Sequence, residues 1–152
     1  MKVSPFLKEE RIILELKAKT KEEAIKEVAS LLKDASEIIN LDDFLKEVFE
    51  REKIGSTGIG KGIAIPHART DNVKKFVIAI GRSEKGIEFQ AVDKRPVKII
   101  FLMGTPKEEG LDEYLKILAH LMRLIDKEAF RSSLFSAKTA KEIIEIFKSA
   151  EE

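Results

Sequence analysis

With 152 residues, 43% of them hydrophobic, the chain is long enough to close one core without staples, and the absence of cysteine excludes disulfides, thiolate metal sites and a thiol nucleophile. Its 28 Lys and Arg offset 27 Asp and Glu, so it lacks the broad basic footprint of a nucleic-acid binder. No apolar run approaches the roughly 18–20 residues of a membrane-spanning helix, and Met1-Lys2-Val3-Ser4-Pro5 lacks the apolar segment of a signal peptide, so a cytoplasmic protein is expected.

Arg11 to Leu16 reads as a first strand. Thr20-Lys21-Glu22-Glu23 matches the capping box, opening a helix that buries Ile25, Val28, Ala29 and Leu32. Asn40 caps a second helix with Phe44, Leu45, Val48 and Phe49 on its buried face and Arg51 at its end. Gly62 to Pro66 predicts a short strand, Phe76 to Ile80 another, Ile87-Glu88-Phe89 a brief edge strand, and Val97 to Leu102 a central one. After Thr105-Pro106 the pattern turns helical. Leu115, Leu118, Ala119, Met122 and Ile125 form an apolar stripe, Phe130 and Leu134 mark a short helix, and Thr139-Ala140-Lys141-Glu142 is a second capping box. Without regular strand–helix alternation or any linker, the expected fold is a single α/β domain over residues 1–152: a mixed sheet flanked by helices, with a helical C-terminal third.

The segment Gly55-Ser56-Thr57-Gly58-Ile59-Gly60-Lys61 nearly completes a P-loop, but Gly62 stands where a magnesium-binding hydroxyl is needed. The loop also follows a helix and feeds a strand, the reverse of P-loop order, and its glycine spacing misses the dinucleotide fingerprint. Its four glycines point instead to a flexible loop whose N–H groups approach an anion.

The chain has two histidines. His67 follows Pro66, which cannot donate to a sheet ladder, so it should project from a strand end. Position alone leaves it balanced between a reactive group and a ring bonded to a local carbonyl. His120, among Leu118, Ala119, Leu121 and Met122, reads as half-buried packing. Neither histidine has evident metal-ligand company, and no serine sits in a nucleophile elbow, so neither metal nor cofactor is expected. An imidazole nitrogen can itself attack phosphorus and carry a phosphoryl group, which Arg51, Arg69, Ser56, Thr57 and loop N–H groups could neutralise.

From Arg51 through Gly55-Ser56-Thr57-Gly58 to Ile63-Ala64-Ile65-Pro66-His67, the chain resembles the active-site segment of the fructose/mannitol-type enzyme IIA domains of the bacterial phosphotransferase system, which include the nitrogen-regulatory IIA proteins. The resemblance extends over nearly the whole chain. It implies a mixed-sheet α/β domain in which His67 is phosphorylated at Nε2 by the phosphocarrier HPr. A IIB domain then receives the group, leaving the protein peripheral to a membrane permease at most. It also implies that Arg51 steadies the phosphoryl group, with Thr57 as a hydroxyl or amide contact and Ser56 behind it. The family usually carries a second histidine in a His-Leu pair early in the long helix. Here that place reads Tyr114-Leu115, and His120, nearly two turns on, does not inherit the role. Tyr114 can donate a hydrogen bond but cannot become cationic. Two roles follow: relay of phosphate toward a sugar, or a regulatory module whose protein contacts switch with phosphorylation of His67.

Overall fold

Helix initiation follows the side-chain chemistry of the capping residues. In the computed structural model, which describes residues 2–108 and 111–152, Thr20 Oγ1 accepts from the Glu23 N–H (3.2 Å) at the start of α1 (Lys21–Ser30). Asn40 Oδ1 accepts from the Asp43 N–H (2.9 Å) at the start of α2 (Leu41–Ile54). The C-terminal third folds as α3 (Leu111–Ile125), α4 (Glu128–Ser136) and α5 (Ala140–Ala150), and Thr139 Oγ1 caps α5 by accepting from the Glu142 N–H at 3.0 Å. Each cap satisfies a donor that a helix leaves unpaired in its first turn. The expected passage from Pro106 into helix includes residues 109–110, which lie outside the described residues. No helix among the described residues is long and apolar enough to cross a membrane.

The sheet is mixed, as expected, and has six strands: β1 (Ile12–Ile13), β2 (Gly58–Gly60), β3 (Ile63–Ala64), β4 (His67–Thr70), β5 (Val77–Ile87) and β6 (Val97–Pro106). β6 is central, antiparallel to β5 on one side and parallel to β3 and β4 on the other. β1 runs parallel to β5 at one edge, and β2 runs antiparallel to β3 at the other. The two-residue period of strands sorts side chains between two helical layers. Ile63, Ile65, Ile99, Phe101 and Met103 face the layer of α3–α5, whereas Ala64, Ala68, Ile100 and Leu102 face α1 and α2.

Four expectations change. The first strand shrinks to Ile12–Ile13, because Glu9–Arg11 form a 3-10 turn in which the Arg11 N–H bonds the Lys8 carbonyl at 3.0 Å. The Arg11 side chain is buried and paired bidentately with Glu37 (2.7 and 2.9 Å). Ile87 ends the long β5 opposite Val97 and does not begin an edge strand. The strand expected over Gly62 to Pro66 divides into β3 and β4, so His67 opens a strand of its own. On α3 the buried face is Tyr114, Ile117, Leu121, Leu124 and Ile125; of the expected stripe Ile125 is fully buried, Leu118 and Met122 pack against the core partly exposed, and Leu115 is 50% exposed. The helix carries two adjacent apolar stripes, and periodicity alone does not select which one meets the sheet.

His120 is half-buried, as its neighbours predict, but has a partner the sequence does not reveal. Its Nε2 lies 2.6 Å from Glu151 Oε2, and that carboxylate also accepts from the Val3 (2.7 Å) and Ser4 (3.0 Å) N–H groups. His120 therefore helps tie the two ends of the chain together on α3.

Candidate functional site

His67 is placed by a lapse in the sheet. β3 and β4 keep one register against β6, from Ile63 opposite Ile99 to His67 opposite Met103, so they form a single strand path interrupted at Ile65–Pro66. On the outer side, pairing with β2 ends where the Ile65 N–H bonds the Thr57 carbonyl (3.0 Å). On the inner side, the Pro66 carbonyl accepts from the Met103 N–H (3.0 Å), but proline has no N–H to return. With β2 ended, the Ile65 carbonyl on that outer side faces an open edge, and His67 Nδ1 lies 2.8 Å from it. A carbonyl oxygen only accepts, so Nδ1 carries the hydrogen and Nε2 keeps its lone pair. The sequence left open whether His67 bonds a local carbonyl or does chemistry. The ring can do both, because the carbonyl bond leaves the second nitrogen available.

Alternation along β4 turns His67 and Arg69 toward the α3 side, and Ala68 and Thr70 toward α2. Buried Thr70 is held there by Glu47, which also accepts from Asn72. Because β4 has no further strand outside it, the end of α2 can reach round the edge. Arg51, half-buried in the last turn of α2, donates from Nη1 to the Gly55 carbonyl at 2.9 Å. Arg69 donates to the Lys107 carbonyl. Both guanidinium groups act on Tyr114, whose ring centroid lies 5.9 Å from that of His67, with the two planes tilted by 37°. Burial pushes the Tyr114 hydroxyl up to about 12, against the opposing pull of Arg51 and Arg69. The phenol is therefore neutral at physiological pH and keeps its hydrogen. Its oxygen is the buried side-chain polar atom without a hydrogen-bond partner among the described residues.

The rest of the motif is arranged differently from the expectation. Thr57 is 3% exposed, and both its N–H (2.8 Å) and its hydroxyl (2.7 Å) donate to the Glu52 carboxylate. Its only two hydrogens are committed, so Thr57 does not present a donor to an anion on His67. The Ser56 hydroxyl likewise donates to the Phe89 carbonyl (2.6 Å) while accepting from the Gly58 N–H (3.0 Å). Gly60, Lys61 and Gly62 all have positive φ (93°, 60° and 81°) and make the tight turn between β2 and β3. The Lys61 N–H goes to Asp93 (2.9 Å), and the turn lies about 20 Å along the strand path from His67. The glycines thus shape a hairpin and do not line the histidine. Of the motif, Ile65 bonds His67 directly and Arg51 acts on the neighbouring Tyr114.

Two residues that organise this border went unremarked in the sequence. Glu52 is buried, and Lys21 from α1 reaches it at 2.9 Å with its ammonium 4.8 Å from the Phe89 ring centroid. The signal was available: Phe44, Val48 and Glu52 share one helical stripe, and a carboxylate on an apolar stripe requires a partner.

Comparison with known proteins places this geometry in a family. The family model described as "Phosphoenolpyruvate-dependent sugar phosphotransferase system, EIIA 2" matches residues 5–150. The fructose-specific EIIA component of Haloferax volcanii is 38% identical over 137 residues, covering 90% of this chain and 88% of that protein. The fructose-specific EIIABC component of Bacillus subtilis is 34% identical over 146 residues, or 96% of this chain, which spans 23% of that longer protein. Among solved structures, nitrogen regulatory protein IIA-Ntr from Neisseria meningitidis superposes with a TM-score of 0.88 at 33% identity, covering 95% of this chain and 97% of that one. A match running almost end to end, joined to this fold, means that the chain belongs to the EIIA 2 family of the phosphoenolpyruvate-dependent sugar phosphotransferase system.

Proposed function

We propose that His67 accepts a phosphoryl group on Nε2 from the phosphocarrier HPr and passes it to a IIB component of a sugar phosphotransferase system. The observation that carries this reading is the Nδ1 bond to the Ile65 carbonyl, which fixes the tautomer and leaves Nε2 as the nucleophile. In the transfer, the Nε2 lone pair attacks phosphorus, and a P–N bond forms at His67 as the donor's P–N bond breaks. The donor imidazole departs with its electron pair. Nδ1 keeps its hydrogen on Ile65 throughout, so no proton has to cross between the proteins. Arg51 and Arg69 supply positive charge where the phosphoryl oxygens arrive, and Arg51 in particular is free to exchange its bond to Gly55 for one to an oxygen.

Exposed apolar side chains on the two helices that carry Arg51 and Tyr114 support the same reading. Ile54, next to Gly55, is 84% exposed, and Leu111 (42%) and Leu115 (50%) flank Tyr114 on α3. Apolar side chains ringed by charge are the composition of a transient protein interface. The test is incubation with phosphoenolpyruvate, enzyme I and HPr, which should yield an acid-labile, base-stable phosphoryl adduct. If His67→Ala takes up that label, the assignment of the acceptor is wrong.

A second reading is a stand-alone regulatory protein whose contacts change as His67 gains about −1.5 to −2 charges on phosphorylation. The similarity to a nitrogen regulatory IIA structure favours it, as does Tyr114 at the place of the family's second histidine. Transfer of label from the phosphorylated protein to an added fructose- or mannitol-type IIB domain supports relay to sugar. Retention of label in its presence supports regulation.

A further inference from the structure

We infer that Tyr114 is a phosphoryl-binding residue whose hydroxyl donates a hydrogen bond to the group carried by His67, a role that rests on the acceptor reading above. Tyr114 is 5% exposed, yet its hydroxyl has no hydrogen-bond partner among the described residues. Burying a donor without a partner opposes folding, so such a group in an otherwise satisfied core calls for an explanation. Its ring packs in the cluster of Ile117, Met103 and Ile65, and a leucine or phenylalanine would fill that space without the penalty. What the hydroxyl adds is a donor on a ring whose centroid lies 5.9 Å from that of His67, in the field of Arg51 and Arg69. Unphosphorylated, the site offers that donor nothing. A phosphoryl group on Nε2 would bring three acceptor oxygens to this pair of rings. The neutral phenol then completes a set of three donors without adding a titratable charge.

The chain has one tyrosine and no tryptophan, so its near-ultraviolet absorption reports on Tyr114 alone among these chromophores. Phosphorylation of the full chain by phosphoenolpyruvate, enzyme I and HPr, followed by removal of the donor proteins, should shift the tyrosine absorption band to longer wavelength. The shift should reverse as the phosphoryl group is lost and should be absent in His67→Ala. Tyr114→Phe should still be labelled but lose its phosphoryl group about ten-fold faster, as expected for losing one hydrogen bond to a charged acceptor. Its unphosphorylated form should melt at or above the wild-type temperature. A residue serving only to pack would leave the melting temperature of the phenylalanine variant equally unharmed, but would give no spectral change and no change in phosphoryl lifetime. Wild-type labelling with an unmoved tyrosine band and an unchanged phosphoryl lifetime in Tyr114→Phe would overturn the inference and leave His67 as acceptor. Failure of wild type to take label at all would overturn both.

Discussion

Replacing Glu52 by alanine should loosen the border of the site more than any exposed change near it. The carboxylate accepts two hydrogen bonds from Thr57 and one contact from the Lys21 ammonium, with the Glu52 side chain 4% exposed and that of Lys21 20% exposed. Hydrogen bonds to a charged acceptor contribute about 1.5–3 kcal/mol each. Deleting one member of a buried ion pair costs about 3–5 kcal/mol. The terms share one carboxylate and do not add, and Lys21 can partly rehydrate, so about 3–4 kcal/mol is the expected total. For a domain of this size that lowers the melting temperature by about 10 °C. Glu52→Gln keeps the volume and one acceptor and should cost about 1–2 kcal/mol. Calorimetry gives the melting temperatures, and hydrogen exchange at residues 55–58 reads the loop directly, because the Thr57 N–H loses its acceptor. If Glu52→Ala melts within about 3 °C of wild type and residues 55–58 exchange no faster, the network does not hold the loop and the reasoning fails.

Other perturbations separate charge at the site from stability elsewhere. Arg51→Ala should slow phosphoryl transfer about 10- to 100-fold, the loss of a charge-assisted bond to a phosphoryl oxygen, while the melting temperature moves little; an unchanged transfer rate in rapid-quench measurements would remove Arg51 from the mechanism. The hydrogen bonds and charge of Arg11 hold the Glu37 carboxyl at about 2, below its ordinary 4.5. A depressed pKa contributes stability above 4.5 that is lost as pH falls toward 2, so the deficit of Glu37→Gln relative to wild type in urea titrations should be full at neutral pH and shrink through that window. A deficit that stays constant down to the bottom of the window would show that the pair does not set it.

Much of this architecture was legible because local chemistry decides it. Thr20, Asn40 and Thr139 cap the helices they were expected to cap, since a hydroxyl or amide oxygen next to an apolar period has one obvious task. The stripe on α3 was misplaced because Tyr114, Ile117 and Leu121 and the neighbouring Leu115, Leu118 and Met122 are both apolar, and only the sheet chooses between them. The glycines misled for a related reason. Positive φ at Gly60 and Gly62 answers the need of a hairpin turn, and nothing in the spacing tells a hairpin from an anion loop. Thr57 lies in the matched segment, but its hydrogens are claimed by Glu52, a side-chain pairing that sequence adjacency does not reveal.

Pro66 carries more of the site than the glycines do. It withholds an N–H from β6 just past the point where β2 stops pairing; the end of β2, on the opposite side of the same peptide, leaves the Ile65 carbonyl at the edge, while pairing with β6 resumes at His67. That carbonyl, rather than a carboxylate, orients His67. A carboxylate on Nδ1 would stabilise the positive ring that forms when Nε2 bonds phosphorus, making the ring more basic and a poorer leaving group. A neutral carbonyl fixes the tautomer with less of that stabilisation, so under the proposed function the ring would remain a group able to part with the phosphoryl it accepts. Under the proposed function the anionic phosphoryl oxygens would be matched separately, by Arg51 and Arg69, whose charge already acts on the neighbouring Tyr114. Dividing the two tasks in this way, orientation by a backbone acceptor and charge by arginines, would suit the proposed carrier role, in which His67 must give up the group it takes.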